Sequence, residues 1–147
     1  MIITSNAFSD SGVIPEKYTC EGTNISPPLE FNDLPAESKS LVLIVEDWDA
    51  AAKPWVHWLV FNIPPTTNSV TEGQKPQGGV EGLANGGTFG YEGPCPPQGN
   101  HHYQFKLYAL DVVLKLPKEV DRRQILSAMQ GKILAEAILS GFYHKKT

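Results

Sequence analysis

The chain has 147 residues, 41% apolar and 19% charged, with a formal net charge of -4. That is the balance of a folded globular protein, long enough to bury about two-thirds of the surface its unfolded form exposes. A sequence pI near 5.5 and no Lys/Arg run longer than Lys145-Lys146 exclude the electrostatic footprint of a protein that binds duplex nucleic acid or an anionic membrane, so any anionic ligand must be small and held locally.

The N-terminal MIITSNAFSD has neither a basic n-region nor an apolar h-region, and no window approaches the run of about 20 apolar residues that spans a bilayer. A cytoplasmic protein is the expectation. Cys20 and Cys95 are too few and too far apart for a paired Cys-x-x-Cys zinc site. In a reducing cytosol they read as thiols, while a single bridge between them would close a long loop and stabilise the fold.

Turn signals recur along the chain at Ser11-Gly12, Glu21-Gly22, Pro27-Pro28, Asn32-Asp33, Pro64-Pro65, Gly78-Gly79 and Asn85-Gly86. Short β-type runs lie between them. Ser40 to Glu46 and Val56 to Ile63 are continuous apolar runs that predict buried central strands. Thr66 to Gly82 has the composition of a surface loop. Tyr103 to Leu110 alternates, placing Tyr103, Phe105, Leu107 and Ala109 on one face of a strand. After Pro117, the segment KEVDRRQILSAM carries Val120, Ile125, Leu126 and Met129 at helical spacing. Gly131 interrupts that pattern, and Ile133 to Lys145 could continue as a helix, although Gly141, Phe142 and Tyr143 favour a helical turn followed by a closing strand. The predicted architecture is mainly β: one domain over 1–147, an antiparallel β-sandwich of Greek-key type with one or two short C-terminal helices.

The chemistry concentrates in Asn85 to Asp111, where a loop containing Gly86, Gly87, Gly90, Gly93, Gly99, Pro94, Pro96 and Pro97 runs into His101-His102 and then the alternating strand. Glycines let backbone N–H groups approach a ligand and prolines restrict the loop, a combination that suits a preformed pocket. Read singly, His57 within VHWLVF is a hydrogen-bonded core histidine, and Asp47 and Asp49 are turn residues at a strand end.

Read together, four segments resemble the phosphatidylethanolamine-binding protein family in its bacterial and archaeal Raf-kinase-inhibitor-like branch. They are YTCEGTNISPPLEF (Tyr18 to Phe31), VEDWDAAAKPWVHWLVFNIP (Val45 to Pro64), GYEGPCPPQGNHHYQFKLYALD (Gly90 to Asp111) and MQGKILAEAILSGFY (Met129 to Tyr143). The resemblance implies the same antiparallel sandwich and a small anion pocket bounded by Asp47, Asp49, His57, His101 and Tyr103, with Gly93, Pro94 and Cys95 at its rim. It implies ligands with phosphate-like groups: the phosphoethanolamine head group of a phospholipid, phosphorylated side chains or nucleotides. It also implies modulators of protein kinases and, in some members, inhibitors of serine proteases acting through surface loops. A second copy of the chain is a further partner left open. Trp48 and Ala51 stand where the family has prolines, and His102 replaces the arginine of His-Arg-Tyr. On a strand, His102 points away from His101 and Tyr103.

The chemistry is consistent with that implication. His57, His101 and Tyr103 can donate to an anion, and a carboxylate such as Asp47 can fix an imidazole tautomer. A binding protein rather than an enzyme is expected, without cofactor or metal. A hydrolase triad from Asp47, His57 and a serine lacks the G-x-S-x-G elbow, and adjacent His101 and His102 cannot both point inward to a metal.

Overall fold

The computed structural model describes residues 1–51 and 54–146. Ala52 and Lys53, within the second of the family-like segments, and Thr147 lie outside the described residues. The strands are β1 (Ile2–Thr4), β2 (Gly12–Val13), β3 (Leu29–Asn32), β4 (Ser40–Asp47), β5 (Trp55–Ile63), β6 (Ser69–Val70), β7 (Val80–Glu81), β8 (His101–Leu110) and β9 (Ile133–Tyr143), with one α-helix, α1 (Arg122–Met129), and a 3-10 turn at Glu16–Tyr18.

The strands form two unequal sheets, β1-β3-β6 and β2-β9-β8-β4-β5-β7. The architecture is mainly β, as predicted. Pairing is antiparallel except where β2 meets β9 in parallel, Gly12 opposite Gly141. β4 lies inside the large sheet between β5 and β8 and is buried along its whole length, which is why it reads as an unbroken apolar run. Ile3, Leu29, Phe31 and Val70 of the small sheet share one core with Leu41, Leu43, Val45, Phe105 and Leu107 of the large sheet. On the other face of the large sheet, Val42, Ile44, Leu59 and Phe61 pack with Val120 and with Ile125 and Met129 of α1.

The helix starts at Arg122 because Asp121 caps it. The Asp121 carboxylate accepts from Gln124 N at 2.9 Å, and the Gln124 side chain accepts from Asp121 N at 3.0 Å. Gly131, at φ 79, then turns the chain into β9. The second helix considered for Ile133 to Lys145 is absent among the described residues. The first eleven residues of that segment, Ile133–Tyr143, form a strand, paired with β8 from Leu110↔Ile133 to His101↔Tyr143. Helix-favouring residues such as those of ILAEAIL yield to this long pairing because tertiary contacts outweigh weak local propensity.

The segment read as a surface loop, Thr66 to Gly82, carries β6 and β7 and buries Val70, Pro76 and Gly79. Cys20 and Cys95 are joined in a disulfide, which corrects the reading of two thiols.

Candidate functional site

Three strand ends meet at one edge of the large sheet. Asp47, the last residue of β4, pairs with Trp55 at the start of β5 and with Tyr103 near the start of β8. The pleat then places His101 and Tyr103 on the same face. His57 reaches that face by a different route. Val45 opposes Trp58 while Glu46 opposes Val56, so His57 is the extra residue of a β-bulge. Bulges commonly re-aim a side chain next to a functional site.

These side chains line a cavity of about 300 Å³ together with Trp55, Glu92, Gly93 and Cys95. Ala50, Ala51, Pro96 and Pro97 complete its wall. Of the residues expected there, Asp47, His57, Gly93, Cys95, His101 and Tyr103 are brought together. Pro94 stands behind the rim, its carbonyl accepting from Cys20 N at 3.1 Å. Asp49 is turned away from the cavity: its carboxylate accepts from His102 N at 2.7 Å and lies 3.2 Å from His102 Nδ1. The His102 ring stacks on Phe142 with centroids 5.3 Å apart. Burial alone would raise the Asp49 carboxyl, but the His102 backbone and side-chain hydrogen bonds hold it below the usual carboxylate range. Trp48, between the two aspartates, donates from Nε1 to Glu46 at 3.2 Å, and Trp55 lines the cavity.

The rim is pinned from several sides. Tyr91 Oη donates to the Tyr18 carbonyl at 2.7 Å, and Gly93 N donates to Asn24 Oδ1 at 2.9 Å. Position 93 must be glycine, since a Cβ there would collide with the Tyr18 carbonyl oxygen and Asn24 Oδ1.

Both imidazoles spend a ring nitrogen internally. His57 Nδ1 lies 2.6 Å from the Glu92 carbonyl oxygen. Because a carbonyl only accepts, Nδ1 carries the hydrogen. His101 Nδ1 lies 2.7 Å from Asp47 Oδ2, which likewise places its hydrogen on Nδ1 when the carboxylate is ionised. A neutral ring therefore has no N–H left for a ligand, so His57 and His101 can donate to an anion from Nε2 only on protonation. Burial pushes the His57 imidazole below its ordinary value, opposed by the Glu92 carbonyl and the Asp47 charge.

Tyr103 offers a donor that needs no protonation. Its ring meets His57 edge-on at 5.4 Å and lies over His101 at 6.5 Å. Its hydroxyl is buried and has no hydrogen-bond partner among the described residues. Burial, with the Asp47 and Asp49 charges, pushes the phenol well above its ordinary value, so it stays a neutral donor. No cluster of three or more metal-ligating side chains occurs among the described residues, and no serine lines the cavity among them.

Sequence reasoning missed Trp55 and Glu92. Trp55 lies just before the run Val56 to Ile63 that predicts a buried strand, and Glu92 contributes its backbone carbonyl, a role no side-chain pattern signals.

Known proteins resemble this chain in sequence and in structure. The UPF0098 protein of Methanothermobacter thermautotrophicus is 49% identical over 150 residues, covering 99% of both chains. The UPF0098 protein of Chlamydia trachomatis is 48% identical over 150 residues, again covering 99% of both. A crystal structure described as a phosphatidylethanolamine-binding protein homologue from Chlamydia trachomatis matches with a TM-score of 0.94 and 47% identity, covering 99% of this chain and 97% of that one. Escherichia coli YbcL, described as a new member of the mammalian PEBP family, matches with a TM-score of 0.90 and 30% identity, covering 98% of each. The sequence profile of the phosphatidylethanolamine-binding protein family matches residues 4–144, and the chain belongs to that family.

Proposed function

We propose that the cavity binds a small phosphate-type anion, such as a phosphoethanolamine head group or another phosphorylated ligand, and that the chain acts by binding rather than by catalysis. The observation that carries this reading is the Tyr103 hydroxyl, a buried donor without a partner among the described residues, on a ring that contacts two imidazoles whose Nε2 atoms become donors on protonation. Leaving a buried hydroxyl unpaired costs about 1–3 kcal/mol, and an anionic oxygen in the cavity would remove that cost. The binding reading is favoured over a hydrolase because the described lining holds no serine to serve as nucleophile.

Calorimetric titration of phosphate, phosphoethanolamine and a phosphotyrosine peptide into wild type and the His57→Ala/His101→Ala variant, at two pH values, tests the proposal. Saturable binding that strengthens at the lower pH and disappears in the folded double variant is expected. No binding by any of the three would sink it and leave action on a protein kinase, a serine protease or a second copy of the chain through the outer surface as the alternative. A cytoplasmic location is part of the same proposal. The Cys20–Cys95 disulfide bears on it directly, because disulfides in the cytosol of mesophiles are transient, catalytic or redox-sensing.

A further inference from the structure

The disulfide joins residues 75 positions apart, yet neither cysteine belongs to a hydrophobic core. Both Cys20 and Cys95 are exposed, while Gly93, Pro94 and Pro96 around Cys95 are buried, and Cys95 itself lines the cavity. The bridge is thus open to solvent at the place where the loop becomes the cavity wall.

Its two sides are held very differently. On the Cys20 side, Thr19 is fully buried and its N and Oγ1 both donate to the Glu16 carbonyl, at 3.0 and 2.8 Å. Gly22 N returns to the Thr19 carbonyl at 3.1 Å and Asn24 N to the Lys17 carbonyl at 2.9 Å. On the Cys95 side, hydrogen bonds secure the loop only as far as Pro94, whose carbonyl accepts from Cys20 N. From Pro96 to Asn100 no hydrogen bond to the rest of the chain is found among the described residues, although Pro96 and Pro97 wall the cavity. Beyond it the wall is held by the packing of buried Pro96, so the disulfide is the last covalent or hydrogen-bonded anchor found among the described residues before β8 begins.

We propose that the Cys20–Cys95 disulfide is a redox-operated clasp on the cavity rim, holding residues 96–100 against the cavity when oxidised and releasing them when a dithiol reduces it. The chemistry is thiol–disulfide exchange. A thiolate of the dithiol attacks one of the two sulfurs, forming a mixed disulfide and freeing the other cysteine as a thiolate. The dithiol's second thiolate then displaces the remaining cysteine. Two electrons pass from the dithiol, which leaves as its own disulfide, and its two protons end on the two protein thiols. Exposure of both cysteines gives the attacking thiolate access, the condition that separates labile and regulatory bridges from inert ones. Only the consequence for ligand affinity rests on the anion-site reading; the clasp stands on the anchoring of the loop.

The test compares oxidised protein, protein reduced with dithiothreitol, and Cys20→Ser/Cys95→Ser. Free-thiol titration verifies the redox state, NMR relaxation of residues 96–100 reads the loop's mobility, hydrogen exchange reads the sheet, and calorimetry with phosphoethanolamine reads the site. Reduction and the double variant are expected to raise mobility selectively at residues 96–100 while the amides of β4, β5 and β8 stay protected. Phosphoethanolamine binding should weaken by roughly ten-fold, as the wall must be reordered on binding, and reoxidation should restore both readouts. Unchanged mobility of residues 96–100 between the two redox states would overturn the clasp, and so would loss of protection across the whole sheet, which would make the bridge a global staple. If the oxidised protein binds no phosphoethanolamine, the anion-site reading falls, and the mobility measurement still decides the clasp.

Discussion

Asp47 and His101, 54 residues apart in sequence, meet at the sheet edge with Asp47 Oδ2 2.7 Å from His101 Nδ1. Asp47 is 4% exposed. Its second oxygen accepts from Asp49 N at 2.8 Å, so the carboxylate is fixed at both ends. It orients the imidazole and directs Nε2 as the nitrogen left for a ligand, the role a carboxylate plays behind many functional histidines.

Asp47→Asn should therefore loosen His101 without removing it. An amide presents both a donor and an acceptor to Nδ1, so the fixed tautomer gives way to a mixture. Nitrogen NMR of the imidazole is expected to show one neutral tautomer in the wild type and two in the variant. Phosphoethanolamine affinity should fall by about ten-fold, since a charge-assisted hydrogen bond contributes roughly 1.5–3 kcal/mol.

His57 makes stability depend on pH. Burial, as the largest cause, lowers its folded imidazole below the ordinary value, so in the window just below about 6.5 the unfolded chain binds more protons than the folded one. The stability associated with neutral His57 is complete above that window and is lost as pH falls through it toward the folded value. Urea midpoints should decline from pH 7.5 to pH 5, and His57→Gln should flatten the part of the decline that belongs to this residue. Anion binding has the opposite sign. Nε2 donates only when the ring is protonated, so titrations near pH 6 in buffers of different ionisation enthalpy should report proton uptake.

Gly93→Ala tests the rim. A Cβ at this position meets the Tyr18 carbonyl oxygen and Asn24 Oδ1, backbone and a hydrogen-bonded amide that cannot swing aside cheaply. A cost of about 1–3 kcal/mol in chemical denaturation is expected, the range typical of overpacking. Gly99→Ala is the control for loop composition. No atom lies within 4 Å of a Cβ built there, although its φ of 76 adds some strain, so the larger loss should belong to position 93.

The strands that carry the site were legible because each has a pattern forced by its surroundings. β4 and β5 are covered on both faces and so read as apolar runs. β8 alternates so that Tyr103, Phe105, Leu107 and Ala109 all enter one core. The bulge that presents His57 was not legible, because it exists only in the pairing of β5 with β4. Of β9 only a closing strand was legible, because the helix-favouring residues before it are held extended by β8. The turning away of Asp49 depends on His102 N, a partner 53 residues away. Such contacts are set by the register of the sheet, which local composition does not encode.

On the opposite face of the sheet, Glu46 is 1% exposed and meets Lys106 Nζ at 2.9 Å, Arg122 Nε at 2.6 Å and Trp48 Nε1 at 3.2 Å. The Lys106 ammonium also lies 4.7 Å from the Trp48 ring. Trp48, at a position where the family motif has proline, thus supplies a donor that proline cannot. Glu46→Ala strips the partner from two partly buried cations and should cost about 3 kcal/mol in urea denaturation, within the range for breaking a buried pair. Trp48→Phe removes one hydrogen bond and keeps a ring beneath Lys106, and should cost about 1 kcal/mol.

Tyr103→Phe separates the demands of binding from those of folding. The hydroxyl is buried without a partner among the described residues, so removing it deletes an unpaired polar group while leaving the ring against His57 and His101. Loss of an unsatisfied group should raise unfolding free energy by about 1 kcal/mol. If the hydroxyl donates to a bound anion, the same change should weaken phosphoethanolamine by about ten-fold, because the ligand oxygen loses a donor that water cannot replace inside the cavity. Denaturant titration and calorimetry on one variant therefore read opposite signs: greater stability and poorer binding. A variant that is more stable yet binds as well as the wild type would show that the anion sits away from Tyr103. One that is less stable would show that the hydroxyl is already satisfied in the free protein, and would remove the observation on which the proposed function rests.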